Sequence, residues 1–251
     1  MISRRLMLWA VGTVFVLTLV ANIPAALLYA AFKPKDSPLQ LHGLQGPWAA
    51  GQLSGISLNR RLLMQDLHWQ FQPWWLPLGR VAGHIEGGGE MATLQGGLSL
   101  SPGALRLRDF RIAGSVKRLA GMANLSYLPL DGQLGADIET LVLKQGFVDE
   151  LRGQLNLSGL AWTLAREPML LGDFQFDVTT TADGVIATAS SPSGPLEALG
   201  DARLLPDRSW QLKLRLKPRP GASETLLNYL RSLGAPDAEG YYPVRQQGKL
   251  S

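Results

Sequence analysis

The stretch Trp210-Gln-Leu-Lys-Leu-Arg-Leu216 changes from apolar to polar at every step, with Trp210, Leu212, Leu214 and Leu216 in one phase and Gln211, Lys213 and Arg215 in the other. Successive side chains of a strand point to opposite faces, so this period of two reads as a strand with one buried face. The same alternation appears where Leu67, Trp69 and Phe71 interleave with His68 and Gln70, and where Phe174, Phe176 and Val178 interleave with Gln175 and Asp177. From Leu105 to Ile112 the phase switches at Asp109, because Leu105 and Leu107 fall in one register and Phe110 and Ile112 in the other; a bulge at Asp109 accounts for it.

Turn dipeptides separate these runs. Ser101-Pro-Gly103, Asp131-Gly132, Asp183-Gly184, Ser193-Gly-Pro195 and Pro206-Asp207 punctuate the chain, and the spacing predicts about a dozen strands in a meandering antiparallel sheet. One soluble helix is expected, Glu224 to Leu233. Ser223 is its N-cap, Leu226, Leu227, Leu230 and Leu233 form its apolar side, and Gly234 with Pro236 stops it.

The amino-terminal end has a different character. From Leu6 to Phe32 there is no charged residue, and Arg4 and Arg5 stand directly in front. As a helix rising ~1.5 Å per residue the run exceeds the ~30 Å hydrocarbon core, and a lone apolar segment in lipid satisfies its backbone only as a helix. Trp9 and Tyr29 fall where interfacial aromatics are expected, and Asn22 and Pro24 lie in the outer third, where a kink costs least. A cleaved signal peptide is the other reading, but its apolar core usually runs only ~7–15 residues. The expected organisation is a cytoplasmic tail at 1–5, a transmembrane helix at 6–32, a linker at 33–39 rich in proline and charge, and a β-rich domain from 40 to 251 outside the cytoplasm. The short basic tail stays inside while the long domain translocates. The fold class is therefore mainly β, with a single N-terminal transmembrane helix, a curved antiparallel sheet and one short C-terminal helix.

Composition excludes several chemistries. The net charge of +4 owes half to Arg4 and Arg5, which leaves no strongly basic nucleic-acid surface. There is no cysteine, hence no disulfide framework, thiolate metal site or cysteine nucleophile. His42, His68 and His84 lack the partner spacings of zinc sites, apart from Glu86 two residues after His84; His68, on the polar phase of its strand, reads as a solvated histidine. Neither a Gly-x-Ser-x-Gly elbow nor a phosphate-binding Gly-Lys-Ser/Thr loop occurs, and Gly87-Gly88-Gly89 precedes the acidic Glu90, which favours a hairpin turn over a phosphate cradle. No catalytic residue, cofactor or metal is expected.

An aromatic cluster remains: Trp48, Trp69, Phe71, Trp74 and Trp75, interleaved with Pro47, Pro73 and Pro77. It has two readings. Trp48, Trp74 and Trp75 form a partner or ligand contact, or the group is a hydrophobic core at the base of the sheet near the bilayer, with Trp74-Trp75 in a strand-linking loop. There is also an internal echo. Leu67-His-Trp69 precedes Leu78-Gly79 as Leu160-Ala-Trp162 precedes Leu171-Gly172, and Gly-Gln-Leu recurs at Gly51, Gly132 and Gly153, through duplication or through chance in a chain rich in glycine and leucine.

These residues together resemble a known family. The anchor, Gly43 to Gly46 with Trp48 and Gly51, Leu67-His-Trp69, Pro73 and Leu76 to Gly79 resemble the start of type II secretion system protein N, also called general secretion pathway protein N. Trp162, Leu171-Gly172, Gly194-Pro-Leu196, Trp210, Leu216 to Arg219, Leu226, Leu230, Leu233-Gly234, Gly240-Tyr241 and Gly248 follow in that family's order. Its Gly-Thr-Val-Trp opening is replaced here by Leu44-Gln-Gly-Pro-Trp48. The resemblance implies a single-pass inner-membrane accessory or adaptor subunit with a periplasmic β-rich domain. Its expected partners are other type II secretion subunits, both the inner-membrane platform and the secretin, in export of folded proteins across the outer membrane. The family supplies no catalytic residues. A similarity to AsmA-type periplasmic sheet proteins implies the alternative, an anchored lipid-binding or lipid-handling protein with an apolar groove.

Overall fold

The computed structural model describes residues 18, 22–32, 39–58, 61–89, 92–122, 129–164 and 168–249. Thirteen strands follow one another in sheet order, β1 to β13, and neighbouring strands run antiparallel within each unit described below. The expected meander is the observed one. The chain divides into two compact units, Met1–Arg106 and Leu107–Ser251.

In the first unit, helix α1 (Ala25–Phe32) precedes β1 (Leu39–His42), β2 (Ala50–Leu58), β3 (Arg61–Gln72), β4 (Val81–Gly87) and β5 (Ala92–Ser101). Gly51 and Gly83 stand opposite Trp69 and Phe71 in register, and a Cβ at either glycine would run into those rings. The glycines make room for aromatic side chains on a pleated surface that a larger neighbour would crowd. Between β3 and β4 lies a 3-10 helix, Pro73–Leu78, started by a proline that needs no amide partner and closed by Gly79 at φ +66°, whose N–H donates to the Leu76 carbonyl at 2.8 Å.

The second unit takes β6 (Ala104–Ser115) for most of its length, then α2 (Val116–Met122), β7 (Leu130–Lys144), β8 (Phe147–Trp162), β9 (Met169–Thr181), β10 (Gly184–Ser193), β11 (Leu196–Leu204), β12 (Ser209–Pro218), α3 (Glu224–Ser232) and β13 (Tyr242–Lys249). Register aligns Ala136, Leu155, Phe176, Ala189, Gly200, Leu214 and Val244 in one row across seven strands. Helix α3 closes that face. Leu226 and Leu230 are 0% and 1% exposed in one cluster with Leu160, Met169, Phe174, Leu196 and Ala198, against which Phe176, Leu216 and Tyr242 pack. Ser223 caps α3, its side chain accepting from the Leu226 amide at 3.2 Å. Ser223→Ala is expected to cost about 1 kcal/mol, measurable as a lower urea midpoint of the full chain in detergent.

Three expectations change in the structure. Asp131-Gly132 is no turn: it lies inside β7 at a register shift, with Gly132 at φ +141° and its Cα side against Ser158 and Leu160 backbone, so the glycine marks a bulge. Leu233 follows α3 and is 38% exposed instead of packing with Leu226 and Leu230. The internal echo diverges in form, because Trp69 leads into the 3-10 helix and its terminal Gly79, whereas Gly172 lies within β9. The phase switch at Asp109 coincides with a left-handed backbone, φ +48°, and with exposed Arg108 and Asp109 between half-buried Leu107 and buried Phe110.

Most of the apolar run lies outside the described residues. Within its described end, Asn22 forms a turn, Pro24 bridges Pro47, and α1 begins only at Ala25. Among the described residues no helix is long and apolar enough to cross a membrane.

Candidate functional site

The aromatic cluster belongs to unit 1, and the structure divides it. Trp48 and Trp69 form a joined pair, the Trp69 indole N–H donating to the Trp48 carbonyl at 2.8 Å. The Trp48 ring stacks near Phe71, with centroids 6.5 Å apart and planes 22° apart. All three are half-buried. They lie against the backbone of the apolar run, since the Trp48 amide donates to the Ile23 carbonyl at 3.0 Å and the Ala25 amide to the Gly46 carbonyl at 3.0 Å. These rings pack on one another, but none of them reaches full burial.

Trp74 and Trp75 lie apart from that pair, on the 3-10 helix. The Trp75 indole donates to Gln72 Oε1 at 2.9 Å and lies under the Arg80 guanidinium, 5.6 Å from its centroid, while Arg80 Nε donates to Ser99 Oγ at 2.6 Å. Trp74 is 62% exposed. Of the three aromatic residues singled out from the sequence, Trp48 and Trp75 are half-buried and Trp74 alone is mostly exposed.

The opposite face of the same strands is polar, and sequence reasoning did not assemble it. Gln52, His68, Glu86 and Gln95 face one another in register across β2 to β5, and the adjoining row carries Gln70 opposite His84. Gln45 joins through a two-way backbone bridge to Gln52, at 2.9 and 3.0 Å. The result is a groove of about 530 Å³ in which Gln45, Gln52, His68, Gln70, His84 and Glu86 share the lining with Trp69, Ala50 and two glycines. The signal was present in the alternation itself, whose polar phase in neighbouring strands is brought together by register. Such a surface offers hydrogen bonds beside the apolar Trp69, and among the described residues no group of three His, Asp or Glu side chains is placed to hold a metal ion.

In unit 2 the notable side chains tie the fold. Asp173 accepts from the Gly159 amide at 2.7 Å and from Ser193 Oγ at 2.5 Å, joining β8, β9 and β10 where their registers shift. Arg215 pairs with Asp237 at 2.8 Å and Glu239 at 2.7 Å and covers the Tyr241 ring at 4.3 Å, while the Tyr241 hydroxyl donates to Glu197 Oε1 at 2.9 Å. These contacts fasten the segment between α3 and β13 to β11 and β12, and Arg219 Nη2, donating to the Ser191 carbonyl at 2.7 Å, ties the connection between β12 and α3 to β10.

These contacts set an acid dependence. The Ser193 hydroxyl and then the Gly159 amide hold the Asp173 carboxyl below its ordinary 3.8; the Ser209 hydroxyl and amide do so for Asp207; the Tyr241 amide and then Arg215 do so for Asp237. A carboxylate with a depressed folded pKa stabilises the fold above its unfolded value and loses that contribution as pH falls through the folded one. The thermal midpoint is therefore expected to fall as pH drops below about 4, modestly because the groups are solvated, and Asp173→Asn should flatten part of the decline in a pH series of melting curves.

The family model described as type II secretion system (T2SS), protein N, matches residues 37–245, from just before β1 into β13. The chain is 27% identical over 237 residues to Type II secretion system protein N of Aeromonas hydrophila, covering 92% of this chain and 93% of that one. It is also 27% identical over 251 residues to the protein of that name from Vibrio cholerae serotype O1, covering 95% and 96%. No solved structure matches it. From Trp48 in the first unit to Arg245 in the last strand, the chain belongs to the type II secretion system protein N family.

Proposed function

We propose that this protein is a non-enzymatic adaptor subunit of the type II secretion system, held in the inner membrane by the run Leu6–Phe32 with its amino terminus in the cytoplasm and its sheet in the periplasm. It supports export of folded proteins across the outer membrane by contact and not by chemistry. The observation that carries the reading is the extent of the family match: residues 37–245 take in β1 to β12 and the first half of β13, so the shared element is the sheet itself. The uncharged run supports the anchor. The terminal strands β1 and β13 supply sheet edges to which a partner strand can add.

A lipid-handling role needs an open apolar groove. In unit 2, Phe174 and Phe176 instead pack with Leu226 and Leu230 of α3. The test is deletion in the native host with an assay of where a secreted protein accumulates. The expected result is periplasmic retention, reversed by the full chain but not by a version secreted without residues 1–32. Undiminished export, or purified protein that carries stoichiometric phospholipid, would contradict the adaptor reading.

A further inference from the structure

Register brings the exposed apolar side chains of unit 1 to one end of its sheet. β2 begins at Ala50, β3 ends at Gln72, β4 begins at Val81 and β5 ends at Ser101, and in an antiparallel meander these four termini coincide. Leu100, opposite Val81, is 53% exposed there, and the 3-10 helix adds Trp74 at 62% and Leu78 at 73%. That helix buries none of its own residues. Leu27, 63% exposed on α1, lies two residues beyond Ala25, which is hydrogen-bonded to Gly46 just ahead of β2. Among the residues of unit 1 whose exposure is described, these four are the large apolar side chains left exposed.

Apolar surface left in water on this scale marks a contact, and chain connectivity identifies the occupant. The sequence between the uncharged run and the sheet contains a charged linker at 33–39, which would hold the domain away from lipid. Ile23 and Ala25, ahead of that linker and inside the run, are hydrogen-bonded directly to Trp48 and Gly46, so the run touches the sheet at this same end. An exposed tryptophan beside leucines suits the headgroup boundary, and Arg80, held by Ser99 and Trp75, places a cation next to them where lipid phosphate would lie.

We propose that this end of unit 1 is seated on the membrane, with Leu27, Trp74, Leu78 and Leu100 in the boundary between headgroups and acyl chains and Arg80 meeting lipid phosphate; the proposal rests on the anchor reading above. The seat fixes the orientation of the strands of unit 1 to the bilayer, which a flexible tether would leave free.

The chain has no cysteine, so one introduced thiol is unique. Full-length Leu78→Cys, Trp74→Cys, Thr93→Cys and Val14→Cys, each carrying an environment-sensitive fluorophore, are reconstituted into phosphatidylethanolamine and phosphatidylglycerol vesicles containing lipid with brominated acyl chains. Leu78 and Trp74 are exposed, so their replacement leaves the core intact; Thr93 is exposed near the start of β5, at the opposite end. The labels at 78 and 74 are expected to lose most of their emission to the brominated lipid, as the label at 14 does, while the label at 93 keeps its emission. Labels at 78 and 74 no more quenched than that at 93, with the label at 14 quenched, overturn the seat and leave the anchor standing. Failure of the protein to float with vesicles overturns both. Arg80→Gln should weaken quenching at 78 more in vesicles of low salt than of high salt if phosphate is its partner.

Discussion

Gly172→Ala is expected to destabilise unit 2 by about 3 kcal/mol or more, a large part of a margin that is typically ~5–15 kcal/mol. Gly172 sits in β9 at φ +117°, a conformation that L-residues avoid. A Cβ there would lie 2.6 Å from the Ser193 carbonyl oxygen and 2.8 Å from Gly194 Cα, both backbone atoms with no rotamer to escape through. The strands cannot separate to admit it, because Asp173 grips Gly159 on one side and Ser193 on the other. Gly146, in the β7–β8 turn, provides the contrast: its φ is +77° but nothing lies within 4 Å of the place a methyl would take, so Gly146→Ala should cost only the left-handed backbone penalty of about 1–2 kcal/mol. Urea unfolding of both variants checks the difference, and equal losses would mean that close approach of β9 and β10 is not what Gly172 supplies.

Leu230→Ala should cost about 2–5 kcal/mol, and Leu226→Ala a similar amount, since each leaves a cavity in a filled core. Both side chains are essentially inaccessible, and they are the part of α3 that covers the sheet face bearing Phe174, Leu196 and Ala198. Leu233, one turn further and 38% exposed, should lose well under 1 kcal/mol on truncation to alanine, within the range of ordinary surface changes. Thermal melts of the three variants report this directly. A loss at Leu233 equal to that at Leu230 would show that α3 does not pack as described.

Much of the strand order was legible because alternation depends only on which residues are apolar and in what phase. Trp210 to Leu216, Leu67 to Phe71 and Phe174 to Val178 all became strands on that ground alone. The Asp131-Gly132 dipeptide was misleading for a physical reason: the same two residues suit a tight turn or a bulge, and the choice is made by β8, which lies 3.0 Å from the Gly132 Cβ position and is distant in sequence. The candidate site was legible as residue types only. Sequence placed Trp48, Trp74 and Trp75 in one cluster, but whether a ring is stacked inward, as Trp48 is on Phe71, or left in solvent, as Trp74 is, depends on a 3-10 helix that apolar periodicity does not reveal. Leu78 and Leu100 were missed because an isolated leucine at a strand end has the same signature whether it caps a core or faces outward. The bond from Trp48 to Ile23 was likewise beyond reach, since it joins segments separated by β1 and the linker.

The sheet makes up most of the described chain. Unit 1 presents a groove lined by polar side chains and Trp69, and unit 2 a filled apolar face under α3, with Arg215 fastening the connection between α3 and β13 and Arg219 the one between β12 and α3. Contact surfaces of this kind suit a component that positions other proteins.

Whether the sheet works by contact can be decided by crosslinking in the native host, with the chain expressed at its normal level and the crosslinked products isolated from membranes and identified by mass spectrometry. Recovery of type II secretion subunits is expected, with fewer products when the outer edge of β13 is blocked by Arg245→Pro, a position whose backbone faces away from β12. Recovery of lipid alone, or of no secretion subunit from cells that are actively exporting, would contradict a role in contact.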